Sequence, residues 1–359
     1  MNPRRMEALV REAAVRAFGL PSEAVPFVWP RSDHAGEGAD AATALPPRLA
    51  GALADRLPPP RTGHRIAAAT RIAERLSDMR DEGPVDFDRV FVDGRGFLNL
   101  TLTARQRDAL LTEAADGPRY LTGRAWDGEG TWPLSALHEA GPVAQARRLA
   151  RADARARLLM ALGPQSPPPG PDEASWRDPY LDGEHRELIT PAARALGAIG
   201  EDSARVAFCR SVPERPRDTE TTGRDLPVLP SAEYPGAWAR LTDANPAFRL
   251  RYAHAHAVSM LRWATEGAPT HTACPGHTDP VRSLVFDGPS VLDTAARREE
   301  PHILVRYLEA LASAYDEWRT CPVSVPAERT TAEPVLPAAV AGVLRTGLFL
   351  LGVSAPTRL

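Results

Sequence analysis

Residues Asn245–Trp263 read NPAFRLRYAHAHAVSMLRW, and how this stretch is taken decides the rest of the chain. As a helix it puts Leu250, Ala253, Ala257, Met260, Leu261 and Ala264 on one apolar face, the spacing of a helix laid against a core. The opposite face collects Phe248, Arg251, Tyr252, Ser259 and Arg262. Rings interleaved with guanidiniums suit unstacked bases and phosphates, because rings stack and arginines neutralise. A second helix covering that face would satisfy the same pattern, so the pattern alone leaves both readings open.

The chain around this stretch is helical from about Glu184 onward. Thr190 caps a helix with Pro191 at its first position, and Gly197 and Gly200 mark its end, the usual asymmetry of helix termini. Glu201–Arg210 forms a second helix, and Pro213–Pro235 reads as a polar loop. After the helix Asn245–Thr265 a second loop is expected over Gly267–Pro289, then a helix at Pro301–Trp318 with Leu304, Leu308, Leu311, Tyr315 and Trp318 along one seam. A last helix runs from Pro337 to Gly352. Five helices in a strand-poor region predict an α-bundle.

Met1–Thr103 reads differently. Helices are expected at Pro3–Phe18, Ala44–Leu57 and Gly63–Asp81, followed by alternating runs at Val85–Val92 and Gly96–Leu102 around Asp93-Gly94-Arg95-Gly96. An Asp-Gly pair between alternating apolar runs marks a hairpin. Ala104–Gly163 is helical in outline, and its Ala144–Leu162 part carries Arg147, Arg151 and Arg155 at i, i+4 spacing, with Arg148 and Arg157 nearby. A stripe of this kind suits phosphates; a solvated helix face is the commoner meaning of a charge run. Pro164–Arg177, PQSPPPGPDEASWR, is the clearest linker, since its prolines disfavour both helix and sheet. The expected organisation is α+β: a small N-terminal α/β module at residues 1–105, a helical connector and Pro-rich linker at 106–184, and an all-α bundle at 185–359.

Composition narrows the function. The 359 residues hold two or three domains, and no run approaches a membrane span. The N-terminal MNPRRMEALVREAAVRAF lacks the apolar centre and cleavage site of a secretory signal, so a cytoplasmic protein with no membrane partner is expected. All 43 basic residues are arginines. A lysine-dependent phosphate loop and any Schiff-base mechanism are therefore excluded. A net charge of −3 argues against a wholly basic coat but permits a local basic patch. Cys209, Cys274 and Cys321 are too few and too scattered for a disulfide framework. His271, Cys274 and His277 are spaced like zinc ligands, but no second pair stands at finger spacing, and no metal is assigned. His254 and His256 read as packed or capped histidines rather than catalytic bases. No Gly-x-Ser-x-Gly, Gly-x-Gly-x-x-Gly or His-Glu-x-x-His motif occurs, so no catalytic residues and no cofactor are expected.

Three stretches, in order, resemble arginyl-tRNA synthetase. Ser32–Ala50 and Gly96–Leu100 (GFLNL) are similar to segments of that family's N-terminal domain, and Leu188–Ser211 to the segment after its Lys-Met-Ser-Lys-Ser signature. DPYLDGEHRE stands where the signature belongs, and a lysine-free chain cannot carry it. The family's His-Ile-Gly-His signature and the length needed for its nucleotide-binding sheet are also missing. Asn245-Pro246, Tyr252-Ala253-His254-Ala255, PHILVRYLE at 301–309 and RTGLFLLGVSAPTRL at 345–359 resemble the anticodon-binding domain. Arg249 and Arg251 stand where the family usually has Tyr and Gln, and His256 where it has Arg.

The resemblance implies a class I synthetase type of anticodon-binding bundle and a non-catalytic protein that grips tRNA, an arginine-accepting tRNA first. Phe97 and Asn99 would contact the D-loop corner. Phe248, Arg251, Tyr252 and Arg262 would contact the anticodon arm, and the connector would hold the two grips apart. Two other classes remain: a scaffold or regulator that no longer binds RNA and docks on a synthetase or another translation protein, and a factor transferring an amino acid from charged tRNA.

Overall fold

The computed structural model describes residues 1–53, 63–83, 87–126, 132, 134–163, 190–217, 219–266, 271–272, 275–321, 325–326 and 335–358. The Pro164–Arg177 linker, the DPYLDGEHRE segment and Cys274 lie outside the described residues. The chain divides into two compact units, Met1–Glu113 with Arg282–Ser290, and Ala114–Val281 with Val291–Leu359.

The first unit begins with α1 (Pro3–Phe18), where the Asn2 side chain accepts from Arg5 N and Gly19 closes the helix at φ 59°. β1 (Ala41–Thr43), β2 (Phe87–Val92) and β3 (Leu98–Leu102) form an antiparallel sheet in the order β1-β3-β2, and α4 (Ala104–Ala115) follows β3 in the chain. α2 (Leu45–Ala52) and α3 (His64–Glu82) pack with α1 and β2, burying Met6, Val10, Leu49, Ile72, Leu76, Leu98 and Leu100. The hairpin forms where the Asp-Gly signal stands. Asp93 Oδ1 accepts from Arg95 N and Phe97 N at 2.9 Å each. Gly96 sits at φ +78°, where an added Cβ would lie 2.8 Å from Arg65 Cβ. β1 has no counterpart in the sequence reading, because three residues cannot establish a period. From 282–290, the Asp287 carboxylate accepts from Ser32 N at 2.9 Å and from Ser32 Oγ at 2.7 Å.

In the second unit, α6 (Val143–Leu162), α7 (Pro191–Ile199), α8 (Glu201–Arg210), α9 (Pro246–Thr265), α11 (Pro301–Arg319) and α12 (Val335–Leu350) build the bundle. α12 is apolar on nearly every side. A helix of that composition must be enclosed, and it packs against α5 (Gly117–Thr122), α6, α9 and α11. The approach to α5 runs through paired glycines: a Cβ on Gly117 would lie 2.0 Å from Gly342 O, and one on Gly342 would lie 2.5 Å from Ala115 O.

One expectation is overturned. Most of the loop assigned to Gly267–Pro289 is the 24-residue helix α10 (Pro275–Arg298). Pro280 and Pro289 lie inside it, and an interior proline removes a helical hydrogen bond at a cost of about 3 kcal/mol. Burial of Val281, Val285, Phe286, Leu292 and Ala295 offsets that cost, which local turn chemistry cannot show. The two units divide within this helix, between Val281 and Arg282 and again between Ser290 and Val291.

Candidate nucleic-acid interface

α9 forms over the NPAFRLRYAHAHAVSMLRW stretch. Asn245 caps it: Oδ1 accepts from Ala247 N at 3.0 Å, while Nδ2 donates to Trp238 O at 2.7 Å and Arg240 O at 3.0 Å. Leu250, Ala253, Ala257 and Met260 are buried, and α9 packs against α8, α11 and α12. His254 is also buried, with Nδ1 3.0 Å from Pro356 O, in keeping with a packed histidine.

The opposite face is only partly covered. Phe248 and Tyr252 stack, with ring centroids 5.8 Å apart and planes at 22°. The series continues to His256 at 6.3 Å and from His256 to Trp263 at 6.2 Å. α11 flanks it rather than roofing it. Tyr315 OH lies 3.1 Å from His256 Nδ1, and the Arg319 guanidinium stands over the Tyr252 ring at 5.3 Å, itself paired with Asp316. Phe248, Tyr252 and His256 remain half-buried, and Trp263 is 44% exposed.

The arginines divide by role. Arg251 Nε lies 3.3 Å from Asp202, whose carboxylate also accepts from Ser354 N and Oγ. Arg251 is thereby tied to the residues that fix the 353–358 segment. Arg262 is half-buried and donates to Ser259 Oγ at 3.2 Å.

The α6 stripe is not a phosphate-facing surface. Arg147, Arg151 and Arg157 are buried. Arg147 donates to Ser211 Oγ and to the carbonyls of Pro213 and Glu214, and Arg151 to Ser211 O at 2.5 Å and to Glu214 at 3.0 Å. Arg155 also pairs with Glu214. Burial, reinforced by Arg151, lowers Arg147 to about 10, and burial with Arg205 does the same to Arg157. Both stay charged at neutral pH. Sequence spacing could not reveal this, because Arg147 and Arg151 find their acceptors some sixty positions downstream and Arg157 finds the Phe349 carbonyl in α12.

In the first unit, Phe97 and Asn99 have separate functions. Asn99 is fully buried, with Oδ1 accepting from Gly36 N at 2.7 Å; it holds the 34–38 loop. Phe97 is half-buried beneath the Arg95 guanidinium, 4.5 Å from its centroid, with His34 5.6 Å away. Arg89 stands over Phe91 in the same way at 4.6 Å. These arginine–ring pairs and His34 were not singled out from sequence; the hairpin register that aligns Phe91 with Asn99 brings them together.

Among the described residues no group of three or more His, Cys, Asp or Glu could hold a metal ion. The His271, Cys274 and His277 set is not tested, since Cys274 lies outside the described residues. No helix among them is long and apolar enough to cross a membrane.

Comparison with known proteins agrees with this geometry. Residues 250–359, from within α9 to the tail, match the DALR anticodon binding domain. The chain is 35% identical over 179 residues to the arginine–tRNA ligase of Frankia alni, a match covering 46% of this chain and 30% of that protein. It therefore spans less than a third of that relative's length. The Thermus thermophilus arginyl-tRNA synthetase structure aligns with a TM-score of 0.54 at 15% identity, covering 100% of each chain, a likeness of fold. The chain thus shares homology with arginyl-tRNA synthetase over part of its length, and residues 250–359 match the DALR anticodon binding domain.

Proposed function

We propose that this protein binds tRNA without aminoacylating it, an arginine-accepting tRNA being the first candidate. The observation that carries the reading is the partly open Phe248–Tyr252 stack on α9, with Arg319 over Tyr252 and Arg262 further along the same helix, where the match to the anticodon-binding domain begins. Rings that stack beside cations that neutralise suit unpaired nucleotides. The Phe97, Arg95 and His34 surface supports a second contact, on the D-loop corner, with Asn99 shaping it rather than touching RNA. A lysine-free chain lacks the signature cations that would stabilise the transition state of arginine activation, which supports a non-catalytic role.

The test is equilibrium binding of the whole chain to an arginine-accepting tRNA transcript across a salt series, beside an aminoacylation assay. Binding that weakens with salt, weakens further in Tyr252→Ala with Arg262→Ala, and comes with no charging of the tRNA is the expected result. Binding insensitive to both salt and the double substitution would overturn it in favour of a scaffold that has left RNA behind.

A further inference from the structure

We propose that Trp263, at the last turn of α9, is a base-stacking residue. It would extend the series Phe248, Tyr252 and His256 into a platform for a run of unpaired ribonucleotides. This inference rests on the tRNA-binding reading above and adds the occupant's form and a residue that reading does not use. Residues 248 to 263 cover about 22 Å of helix at about 1.5 Å per residue. Along that length each ring meets the next at 5.8, 6.3 and 6.2 Å, so the series is continuous and the indole is its open end.

An isolated exposed aromatic is ordinary on a protein surface. Trp263 differs because its ring is anchored edge-on, at 88°, against His256, which is itself held by the Tyr315 hydroxyl. An indole fixed in this way loses little freedom when a base lies on it, and its faces do not discriminate between bases. Arg262 adjoins it in sequence as a cation for the strand's phosphates. Glu266, exposed at the C-cap of α9, brings a negative charge that limits the anion-tolerant surface. A duplex cannot use such a platform, since its bases are already stacked.

The experiment compares wild type, Trp263→Ala and Trp263→Phe for binding to the tRNA transcript and to an unstructured hexaribonucleotide, with thermal melts as a check on folding. Stacking contributes about 1–3 kcal/mol per base by alanine substitution, so Trp263→Ala is expected to weaken both ligands about 5- to 150-fold. Trp263→Phe should recover most of the loss. The slope of log affinity against log salt should not move, because no cation is removed. If wild type binds tRNA and Trp263→Ala binds equally well, the inference fails and the tRNA reading stands. If Trp263→Ala weakens tRNA while leaving the hexamer unchanged, the unpaired-strand form is wrong. If wild type binds neither RNA, the tRNA reading falls and this inference with it.

Discussion

Arg205 Nη1 lies 3.0 Å from Asp153 Oδ2 with both side chains buried, so α8 and α6 are joined by an ion pair inside the second unit. Asp153 also accepts from Ser135 N at 2.8 Å and Ser135 Oγ at 2.7 Å, and Arg205 donates to Ser135 O at 2.7 Å. Both carboxylate oxygens are thereby engaged. Removing one partner strands the other charge in the interior, which costs about 3–5 kcal/mol. Arg205→Met is expected to lose that much in urea unfolding, and Arg205→Met with Asp153→Asn to regain part of it. Equal stability of wild type and Arg205→Met would mean that water reaches the pair.

Asp287 offers a pH dependence of defined sign. Burial raises its carboxyl above the ordinary value of 3.8, against the hydrogen bonds from Ser32 and the charge of Arg31, while Asp33 adds to the rise. A raised folded value means that protonation favours the folded unit. The stabilisation is complete below the unfolded value and is lost as pH climbs through the folded one. Asp287→Asn removes this titration, so its melting temperature should gain on wild type over the pH range above the ordinary carboxyl value of 3.8. A difference that stays flat across that range would refute the assignment.

Asn245 separates two roles that an N-cap usually confounds. Asp caps helices as well as Asn does, but Asn245→Asp would turn a carboxylate oxygen toward the carbonyls of Trp238 and Arg240 in place of an amide donor. Asn245→Asp is expected to cost about 2 kcal/mol or more beyond Asn245→Ser. Chemical denaturation of the two variants measures the difference, and equal midpoints would show that the amide bonds contribute nothing.

The buried arginines of α6 should be silent toward RNA. Each phosphate contact contributes about 0.7–0.9 to the salt slope of binding. Arg151→Met should lower stability and leave that slope unchanged, whereas Arg262→Ala should reduce it by about one contact. A slope altered in Arg151→Met at intact folding would put Arg151 on the RNA surface after all.

How legible the molecule was depended on where each signal's partners lay. Thr190 caps the helix expected after it, and Asp93 closes the expected hairpin, because caps and turns are satisfied within a few residues. α10 looks like a loop in sequence because its prolines are local while the burial that offsets them is not. The same holds for the candidate site. The ring spacing on α9 was visible in the sequence, but the flanking by Tyr315 and Arg319, the engagement of Arg251 by Asp202 and the burial of Asn99 arise from residues distant in the chain.

The enclosed position of α12 also has a consequence in time. Among the described helices it is last in chain order, yet α5, α6, α9 and α11 all rest on it. A ribosome delivers it after every helix that it holds together, so those helices wait with apolar faces uncovered until Val335–Leu350 emerges. Interruption of translation before that point would release a nascent chain whose second unit has no centre, and such a product is material for chaperones and proteases.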